Sequence, residues 1–416
     1  MSATVTSIQP QLEPASADWI DSFMDYTEGQ PTPPRFRRWA AISAIAAALE
    51  RRVWTITAGR PTYPNLYVLL VGPPTSGKTV AIDIVYDFWR DAKAFHIAPK
   101  GMTTAALVDA LKEADKKQLI GGQLVEYHSL QIAAPEFGTF IHAHDLEMLA
   151  NLNDIWDSPR TYGQRRRHHN GGKAIEIIHP QLNILAGAQP GFLASVMPEE
   201  AWSMGFTSRL IMIYGQEAPL ISLFGGAPLN KSGAKQLVSQ MVAFSKAHGQ
   251  FQWTPDAACE IERWYVARLE PIPTHSKLQN YNGRRILQFL KLCMVSAVAR
   301  SVARPEGIEL VIRLDDIHRA REWLLEAESK MPDVFREMVL KSDMETIKEL
   351  HFACWQQYSN SKQKPISSEF VHAFLANRVP SEKIAKIIET ATKSGFIEEF
   401  APGCYKPRAI TNFGPE

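Results

Sequence analysis

The sequence predicts an α/β protein with a parallel β-sheet in its first half and helices through most of its second half. Four short apolar runs rich in β-branched residues each end in a polar or turn-forming segment, as buried strands do. These runs are residues 67–71, 130–134, 181–186 and 210–214. Helical patterns separate most of them, which favours a three-layer core with helices on both faces of the sheet.

The junction after the first run carries the strongest chemical signal. Residues 72–79 read GPPTSGKT and fit G-x-x-x-x-G-K-[ST], the phosphate-binding loop. Two glycines let backbone N–H groups point at phosphate oxygens, and the helix that follows presents its positive end. The lysine is expected to reach the β- and γ-phosphates, and the threonine hydroxyl is expected to bind Mg²⁺. The predicted ATP-binding set is Gly72, Pro73, Pro74, Thr75, Ser76, Gly77, Lys78, Thr79 and Val80, with Thr79 as the metal ligand.

Composition limits the class of protein. The 416 residues are 45% hydrophobic and 21% charged, which is typical of a soluble protein with several domains. A net charge of +1 excludes a uniformly basic coat, so any contact with nucleic acid has to come from local patches. Four scattered cysteines predict neither a zinc module nor a disulfide framework. With no secretion signal and no apolar run long enough for a membrane span, we expect a cytoplasmic protein with no membrane partner.

The second apolar run ends in Pro135-Glu136, after a predicted helix over residues 103–116. In a P-loop ATPase the corresponding strand ends in an aspartate that helps to hold Mg²⁺ and a glutamate that aligns the attacking water. Glu136 occupies the glutamate position, and Pro135 occupies the aspartate position. We therefore predict Glu136 as the water-positioning residue, the alternative being an ordinary glutamate at a strand end.

A basic hairpin is predicted after a helix over residues 146–156. Asn170-Gly171 lies between two extended segments, which is the strongest short-range hairpin signal. Such an exposed projection suits the sugar-phosphate backbone of DNA, although a solvated charge run is the alternative. The predicted DNA-binding residues of this hairpin are Arg165, Arg166, Arg167 and Lys173.

Two further polar residues flank the third and fourth apolar runs. Gln189 follows the third run, where an amide beside the phosphate loop can sense the γ-phosphate or hold the water. Arg209 precedes the fourth run. It is either an edge charge or a guanidinium that reaches the γ-phosphate of a neighbouring subunit.

The second half predicts an α-helical lid or bundle. Helical patterns cover residues 236–248, 256–270, 284–303 and 314–329. Arg284 and Arg285 open the most apolar of these helices, where a cation is unfavourable for the helix dipole. Either a bound phosphate or a nearby carboxylate would offset this.

The last segment reads as a winged-helix domain. Helices over 347–358, 367–376 and 381–394 precede two short strands joined by Pro402-Gly403. The third helix is predicted to bury Ile384, Ile387, Ile388 and Ala391 and to present Lys383, Lys386 and Lys393 outward. Such domains bind DNA or partner proteins, and the sequence leaves both open, with Lys383 and Lys386 as the DNA-binding candidates.

These features together resemble the AAA+ branch of the P-loop ATPases, and more closely the primase-helicase-like ATPases of phages and integrated elements. A proline-rich lead-in at 31–34, an alanine-rich helix at 40–52 that ends in Glu-Arg-Arg, and the segment YPNLYV at 63–68 carry the resemblance together with the phosphate loop. The resemblance implies an N-terminal lead-in (1–58), an AAA+ core (59–230), a helical lid (231–340) and, outside it, the winged-helix domain (341–416).

Roles follow from this resemblance. It implies that Lys78 and Thr79 bind MgATP, that Glu136 is the catalytic glutamate, and that Gln189 is the first sensor. It further implies that Arg209 is an arginine finger acting on an adjacent subunit, that Arg284 or Arg285 is the second sensor, and that the 165–173 hairpin resembles the hairpin lining the pore of ring helicases. Pro135 and Leu210 depart from the family pattern.

The expected activity is that of an ATP hydrolase that assembles into a hexameric ring and translocates on or unwinds DNA during replication of a phage or mobile element. The expected partners are single-stranded or forked DNA, further copies of the chain, and a primase, helicase or initiator of the replication machinery. An ATP-switched initiator or helicase loader is the first alternative, which Pro135 favours because slow hydrolysis suits a switch. A small-molecule P-loop kinase is the second.

Overall fold

The computed structural model of the chain describes residues 18–120, 123–142, 145–165, 174–197, 205–222, 229–268, 271–301, 308–361, 363–376, 378–379 and 381–408. None of the helices in these ranges has both the length and the apolar character needed to cross a bilayer. The chain divides by its internal contacts into two compact units, Met1–Val334 and Phe335–Glu416. Each unit is described by itself.

The first unit contains both strands and helices up to residue 214. In chain order its elements are α1 (Trp19–Tyr26), α2 (Pro34–Leu49), β1 (Val53–Thr57), β2 (Arg60–Thr62), β3 (Tyr67–Val71), α3 (Lys78–Ala92), β4 (His96–Ile97), α4 (Thr104–Glu113), β5 (Asp115–Ile120), β6 (Gln123–Ala134), α5 (Leu146–Trp156), β7 (Thr161–Arg165), β8 (Ala174–Ile178), β9 (Pro180–Ala188), α6 (Pro190–Val196) and β10 (Leu210–Tyr214). The elements that follow are α7 (Lys231–Phe244), β11 (Gly249–Gln250), β12 (Gln252–Trp253), α8 (Pro255–Ala267), α9 (Gln279–Ala299), β13 (Val311–Ile312) and α10 (Leu314–Asn360), which continues into the second unit.

A parallel sheet forms the centre of the first unit. Its strand order is β10-β3-β9-β6-β4, every neighbouring pair is parallel, and β5 pairs antiparallel with β6. All five residues of β3 and all nine of β9 are buried, as strands covered on both faces must be. The predicted mixed α/β fold with a parallel sheet is therefore confirmed.

Helices cover both faces of this sheet. A Cβ atom placed on Gly187 of β9 would lie 3.3 Å from Cδ1 of Ile82, so α3 packs on that face. Tyr67 of β3 points to the other face, where its hydroxyl donates to the Leu152 carbonyl of α5 at 2.9 Å. The alternation of side chains along each strand therefore separates the two helical layers.

The N-terminal helix α1 is bound to the core by aromatic packing. Its N-cap Asp18 accepts from the backbone N–H of Ile20 at 2.9 Å, which fixes the start of the helix. Trp19 is fully buried, stacks on Phe23 at 5.4 Å and meets the edge of Phe88 of α3 at 6.4 Å. The apolar face of this helix, Trp19, Ile20 and Phe23, is therefore buried.

A buried charged cluster anchors the end of α2. Glu50 has φ 49 and ψ −150, a backbone conformation that is almost confined to glycine and costs about 1–3 kcal/mol. Its fully buried carboxylate binds Lys116 and lies 3.2 Å from Arg52, and the Tyr127 hydroxyl donates to it at 2.9 Å. These partners hold Glu50 in its strained conformation.

Strand β5 was not predicted from the sequence, which instead placed a helix over residues 103–116. The helix ends at Glu113, and Asp115–Ile120 pairs antiparallel with β6 over six residue pairs. The strand places Lys116 against Glu50, which is distant in the sequence. Local helix propensity takes no account of such an interaction. The Gly121-Gly122 pair between the two strands was the available hairpin signal.

The helices of the second half also differ from the predicted bounds. Helix α9 begins at Gln279, five residues before Arg284, so Arg284 and Arg285 do not lie at its N-terminus. The predicted helices at 314–329 and 347–358 belong to the single helix α10, which contains Pro332. Strong helix formers on both sides of Pro332 outweigh the local break that proline predicts.

The second unit contains a small helical core on a three-stranded sheet. After α10 it comprises β14 (Ile366–Ser367), α11 (Ser368–Ala376), α12 (Ser381–Lys393), β15 (Ile397–Ala401) and β16 (Cys404–Pro407). The sheet order is β14-β16-β15, with antiparallel pairs. The predicted inner face of the third helix is confirmed, since Ile384, Ile387, Ile388 and Ala391 are buried.

Candidate active site

The phosphate-loop sequence starts at the centre of the parallel sheet. The Gly72 N–H donates to the Ala188 carbonyl at the end of β9 at 3.2 Å, and the Gly215 N–H after β10 donates to the Val71 carbonyl at 2.9 Å. A Cβ atom on Gly72 would lie 2.2 Å from the Gly215 carbonyl oxygen, so no larger residue fits without a shift. Ligands of open α/β sheets bind beyond the carboxyl ends of such strands, where this loop lies.

The loop has the curled backbone that a phosphate cradle requires. Thr75 and Gly77 both adopt left-handed conformations, with φ 63 and 80. A Cβ atom on Gly77 would lie 2.3 Å from the Pro31 carbonyl oxygen and 2.6 Å from Cα of Thr32. Backbone N–H groups of such a turn, followed by a helix N-terminus, form a concave anion site. The residues present therefore fit the triphosphate of ATP.

Lys78 is held inside this loop. It is 6% exposed, and its Nζ donates to the carbonyls of Gly72 at 2.9 Å and Pro73 at 2.7 Å, and to Oγ of Ser76 at 3.1 Å. Thr79 follows in the first turn of α3 and is exposed. Lys78 is thus turned into the loop, and Thr79 is the exposed residue that follows it.

Glu136 and Gln189 lie at the same edge of the sheet as the loop. Ala134 of β6 pairs with Ala186 of β9, and a Cβ atom on Gly187 would lie 2.3 Å from the Pro135 carbonyl oxygen. Glu136 is exposed just beyond this contact, and Gln189 follows β9 directly as the N-cap residue of α6. The structure therefore brings both predicted residues to the carboxyl edge of the sheet.

Oxygen ligands for Mg²⁺ are few at this edge. Within the described ranges no group of three or more His, Cys, Asp or Glu residues could hold a metal ion. The Thr79 hydroxyl and the Glu136 carboxylate are of the type that Mg²⁺ prefers, and Mg²⁺ keeps several waters in many sites. An ion bound at Thr79 would therefore need further oxygen ligands from waters or from a bound phosphate.

Arg209 lies at the opposite end of the sheet, where the strands begin. It ends the short turn Thr207–Arg209 directly before β10, and Leu210 is in register with Tyr67 at the start of β3. Five strand residues at about 3.3 Å each separate this end from the phosphate loop of the same chain, about 16 Å in all. Arg209 is therefore remote from its own loop.

One carboxylate joins Arg209 to Arg284. Oδ2 of Asp157 accepts from Nη2 of Arg209 at 2.6 Å, and Oδ1 accepts from Nη1 of Arg284 at 2.9 Å. The Trp156 ring lies 5.7 Å from the first guanidinium and 5.5 Å from the second. Burial and the nearby charge of Arg209 lower the pKa of Arg284, while Asp157 opposes that shift. Guanidinium groups keep their charge even so, so this is a cationic cluster.

A buried lysine supports the same cluster from below. Nζ of Lys291 donates at 2.8 Å to both the carbonyl and the side-chain oxygen of Asn65, and lies 3.6 Å from the centre of the Trp156 ring. Burial lowers the pKa of Lys291 well below its ordinary range. Trp156 thus lies within 6 Å of one buried amine and two guanidinium groups.

The two arginines open into a pocket of about 720 Å³, which we call the arginine pocket. Six of its ten lining residues are polar or charged, and the lining comprises Ala150, Asn153, Asp154, Gly205, Ser208, Arg209, Asn280, Gly283, Arg284 and Leu287. Arg285 does not line it. Instead Arg285 makes a buried two-point ion pair with Glu328, at 2.6 and 2.7 Å. Of the two candidates for the second sensor, Arg284 is in the pocket and Arg285 is a core ion pair.

The predicted DNA-binding residues lie elsewhere. Strand β7 pairs with β8 from Thr161↔Ile178 to Arg165↔Ala174, which confirms the two arms of the hairpin. Arg166, Arg167 and Lys173 lie outside the described residues. In the second unit Lys386 is exposed on α12, and Lys383 lies 3.9 Å from Asp343.

No protein-family model matches the sequence, and no curated protein matches it either. The arginine pocket therefore has to be interpreted from its own chemistry. Sequence reasoning missed Asp157, Trp156 and Lys291, because no local motif marks them. The only available signal was the position of Trp156-Asp157 at the end of a predicted helix.

Proposed function

We propose that this protein is an ATP hydrolase of the AAA+ type that assembles into a ring, most simply a hexamer, and acts as a DNA helicase or translocase in the replication of a phage or mobile element. The observation that carries the proposal is the separation of two half-sites. The phosphate loop lies at one edge of the parallel sheet, and the arginine pocket lies at the other.

The phosphate-loop half binds the nucleotide. Bound MgATP would supply a γ-phosphoryl group whose transfer to water releases free energy. Gly72 and Gly77 shape the cradle, Lys78 neutralises phosphate charge, and Thr79 offers a metal ligand. Glu136 orients the attacking water from the same edge, and Gln189 contacts the terminal phosphate or that water. Pro135 provides no carboxylate, so we expect slow turnover without DNA.

The arginine half acts on the neighbouring subunit. Because Arg209 lies about 16 Å from its own loop, a second copy has to bring an arginine to the γ-phosphate. A guanidinium placed there offsets charge that develops in the transition state. Closure of this interface between neighbouring subunits, which we call the seam, couples hydrolysis to movement of one chain against the next. The 165–173 hairpin and the winged-helix-like second unit, with Lys383 and Lys386, are the proposed DNA contacts.

Unwinding of a forked duplex tests this proposal. The protein should separate a labelled fork with ATP, and Lys78→Ala should not. Strand separation that needs a separately added helicase would instead support an ATP-switched initiator or loader, which Pro135 favours. An ATPase rate that is independent of both DNA and protein concentration would support a small-molecule kinase and reject the ring.

A further inference from the structure

Asp157 binds Arg209, the residue that the proposed function needs at a neighbour's phosphate, and it binds Arg284 as well. Each oxygen of its carboxylate takes one guanidinium, Arg209 at 2.6 Å and Arg284 at 2.9 Å. The Arg209 side chain is 8% exposed, and its Nη1 also donates to the Gly205 carbonyl at 2.9 Å. In a separate chain, therefore, Arg209 is turned inward and bound to its own subunit.

The remaining geometry makes this ion pair exchangeable. The side chains of Arg284 and Asp157 are 30% and 45% exposed, and Arg284 lines the arginine pocket of about 720 Å³. An anion that enters the pocket therefore meets Arg284 and Arg209, the two residues in its lining that Asp157 binds. Partly exposed ion pairs of this kind contribute only about 0–1 kcal/mol each. Asp157 is held firmly enough to fix the arginines and weakly enough to release them.

Phosphate is the chemical group that best replaces Asp157. Guanidinium binds carboxylate and phosphate with the same two-point geometry, and a terminal phosphate carries more negative charge than a carboxylate. Among the described residues, Arg209 and Arg284 share one carboxylate in direct contact, that of Asp157. The cluster thus has cationic charge left for a more highly charged anion.

We infer that Asp157 occupies the place of a phosphate group and is displaced by one. In the separate chain its carboxylate binds Arg209 and Arg284. At the interface between two assembled chains both arginines bind instead the γ-phosphate held by the neighbour's loop. This inference rests on the proposed function. It makes Asp157 a positioning residue that also keeps the arginines from other anions. It further assigns Arg284, together with Arg209, to the neighbour's nucleotide instead of its own.

The test uses inorganic tripolyphosphate as the probe and the full-length Lys78→Ala chain, whose own loop is disabled. Trp156 fluorescence reports binding, since its ring contacts both guanidinium groups, and the same chain with Trp156→Phe supplies the blank. We expect Asp157→Asn to bind tripolyphosphate about tenfold more tightly, because the Asp157 carboxylate no longer competes for the two arginines. Asp154→Asn, in the same pocket but in neither ion pair, should change the affinity less than about threefold.

Two further variants keep the test decisive. Asp157→Ser repeats the experiment should Asp157→Asn fail to fold, as judged by its melting curve. Arg284→Ala should abolish the fluorescence response while Asp157 is intact. The inference is overturned by Asp157 variants that bind no more tightly than their parent, or by a response that survives Arg284→Ala. Failure of the wild-type chain to bind ATP or to assemble would refute the proposed function, and the tripolyphosphate titration would still give its own answer.

Discussion

The Cβ position of Gly77 lies 2.3 Å from the carbonyl oxygen of Pro31, so the proline-rich lead-in is packed directly on the phosphate loop. This contact and a φ of 80 both exclude a side chain at residue 77. The lead-in thus holds the loop in its curled conformation.

Gly77→Ala should therefore cost more than its backbone conformation alone explains. Gly29 is a matched control, with φ 76 and nothing within 4 Å of its Cβ position. We expect Gly29→Ala to lower the free energy of unfolding by about 1–2 kcal/mol, the cost of a left-handed alanine. Gly77→Ala should lower it by clearly more and should weaken ATP binding, measured by chemical denaturation and calorimetric titration. Equal effects of the two substitutions would mean that the lead-in does not brace the loop.

Lys78→Ala should weaken binding of a non-hydrolysable ATP analogue by at least about 100-fold, because charge-assisted contacts to phosphate are lost. Arg90→Ala, at the exposed far end of the same helix, should bind as the wild type does. Isothermal titration compares the two. Normal affinity in the Lys78 variant would remove the phosphate-loop assignment.

Arg209→Ala should bind ATP normally and lose turnover by about 10³-fold, the lower end of the range for a transition-state arginine. Mixing provides the sharper measurement. Equal amounts of Arg209→Ala and Lys78→Ala chains should regain part of the ATPase rate, because some seams then combine an intact loop with an intact arginine. A mixture no more active than its components would exclude action between subunits.

Glu50→Ala should lower the free energy of unfolding by about 3–5 kcal/mol, since it leaves the buried cations Lys116 and Arg52 without their carboxylate. Glu113→Ala, at the exposed end of α4, should change it by less than about 0.5 kcal/mol. Urea denaturation measures both. A small effect at Glu50 would show that relief of its strained backbone offsets the lost ion pairs.

Lys291 predicts a pH dependence. Burial lowers its pKa well below the ordinary value of 10.5, so between the two values the unfolded chain binds more protons than the folded chain. The contribution of this group to the free energy of unfolding therefore rises with pH between the folded pKa and 10.5, and it is lost as the pH falls through that window. Relative to Lys291→Met, the wild-type chain should gain thermal stability from neutral pH to about 10. A difference between the two proteins that is constant over this range would contradict a lowered pKa.

Local patterns predicted much of the sheet and little of the arginine pocket. Strands Tyr67–Val71 and Leu210–Tyr214 and helix Leu146–Trp156 fall where their apolar patterns place them. Asp157 was missed because its partners, Arg209 and Arg284, lie 52 and 127 residues further along the chain. Strand β5 was missed for the same kind of reason, since pairing with β6 decides its conformation. Contacts between distant residues leave no period in the sequence.

If the phosphate loop and the arginine pocket are the two halves of one active centre, as we propose, their positions at opposite ends of the sheet set the number of active centres in an assembly. A seam that joins one chain's loop to the next chain's arginines is head-to-tail, and such contacts close into a circle or continue as an open arc. A closed circle has as many complete centres as chains. An open arc has one complete centre fewer than it has chains, because the loop at one end has no arginine partner and the arginines at the other end have no loop. Specific activity per chain therefore reports whether the assembly has free ends.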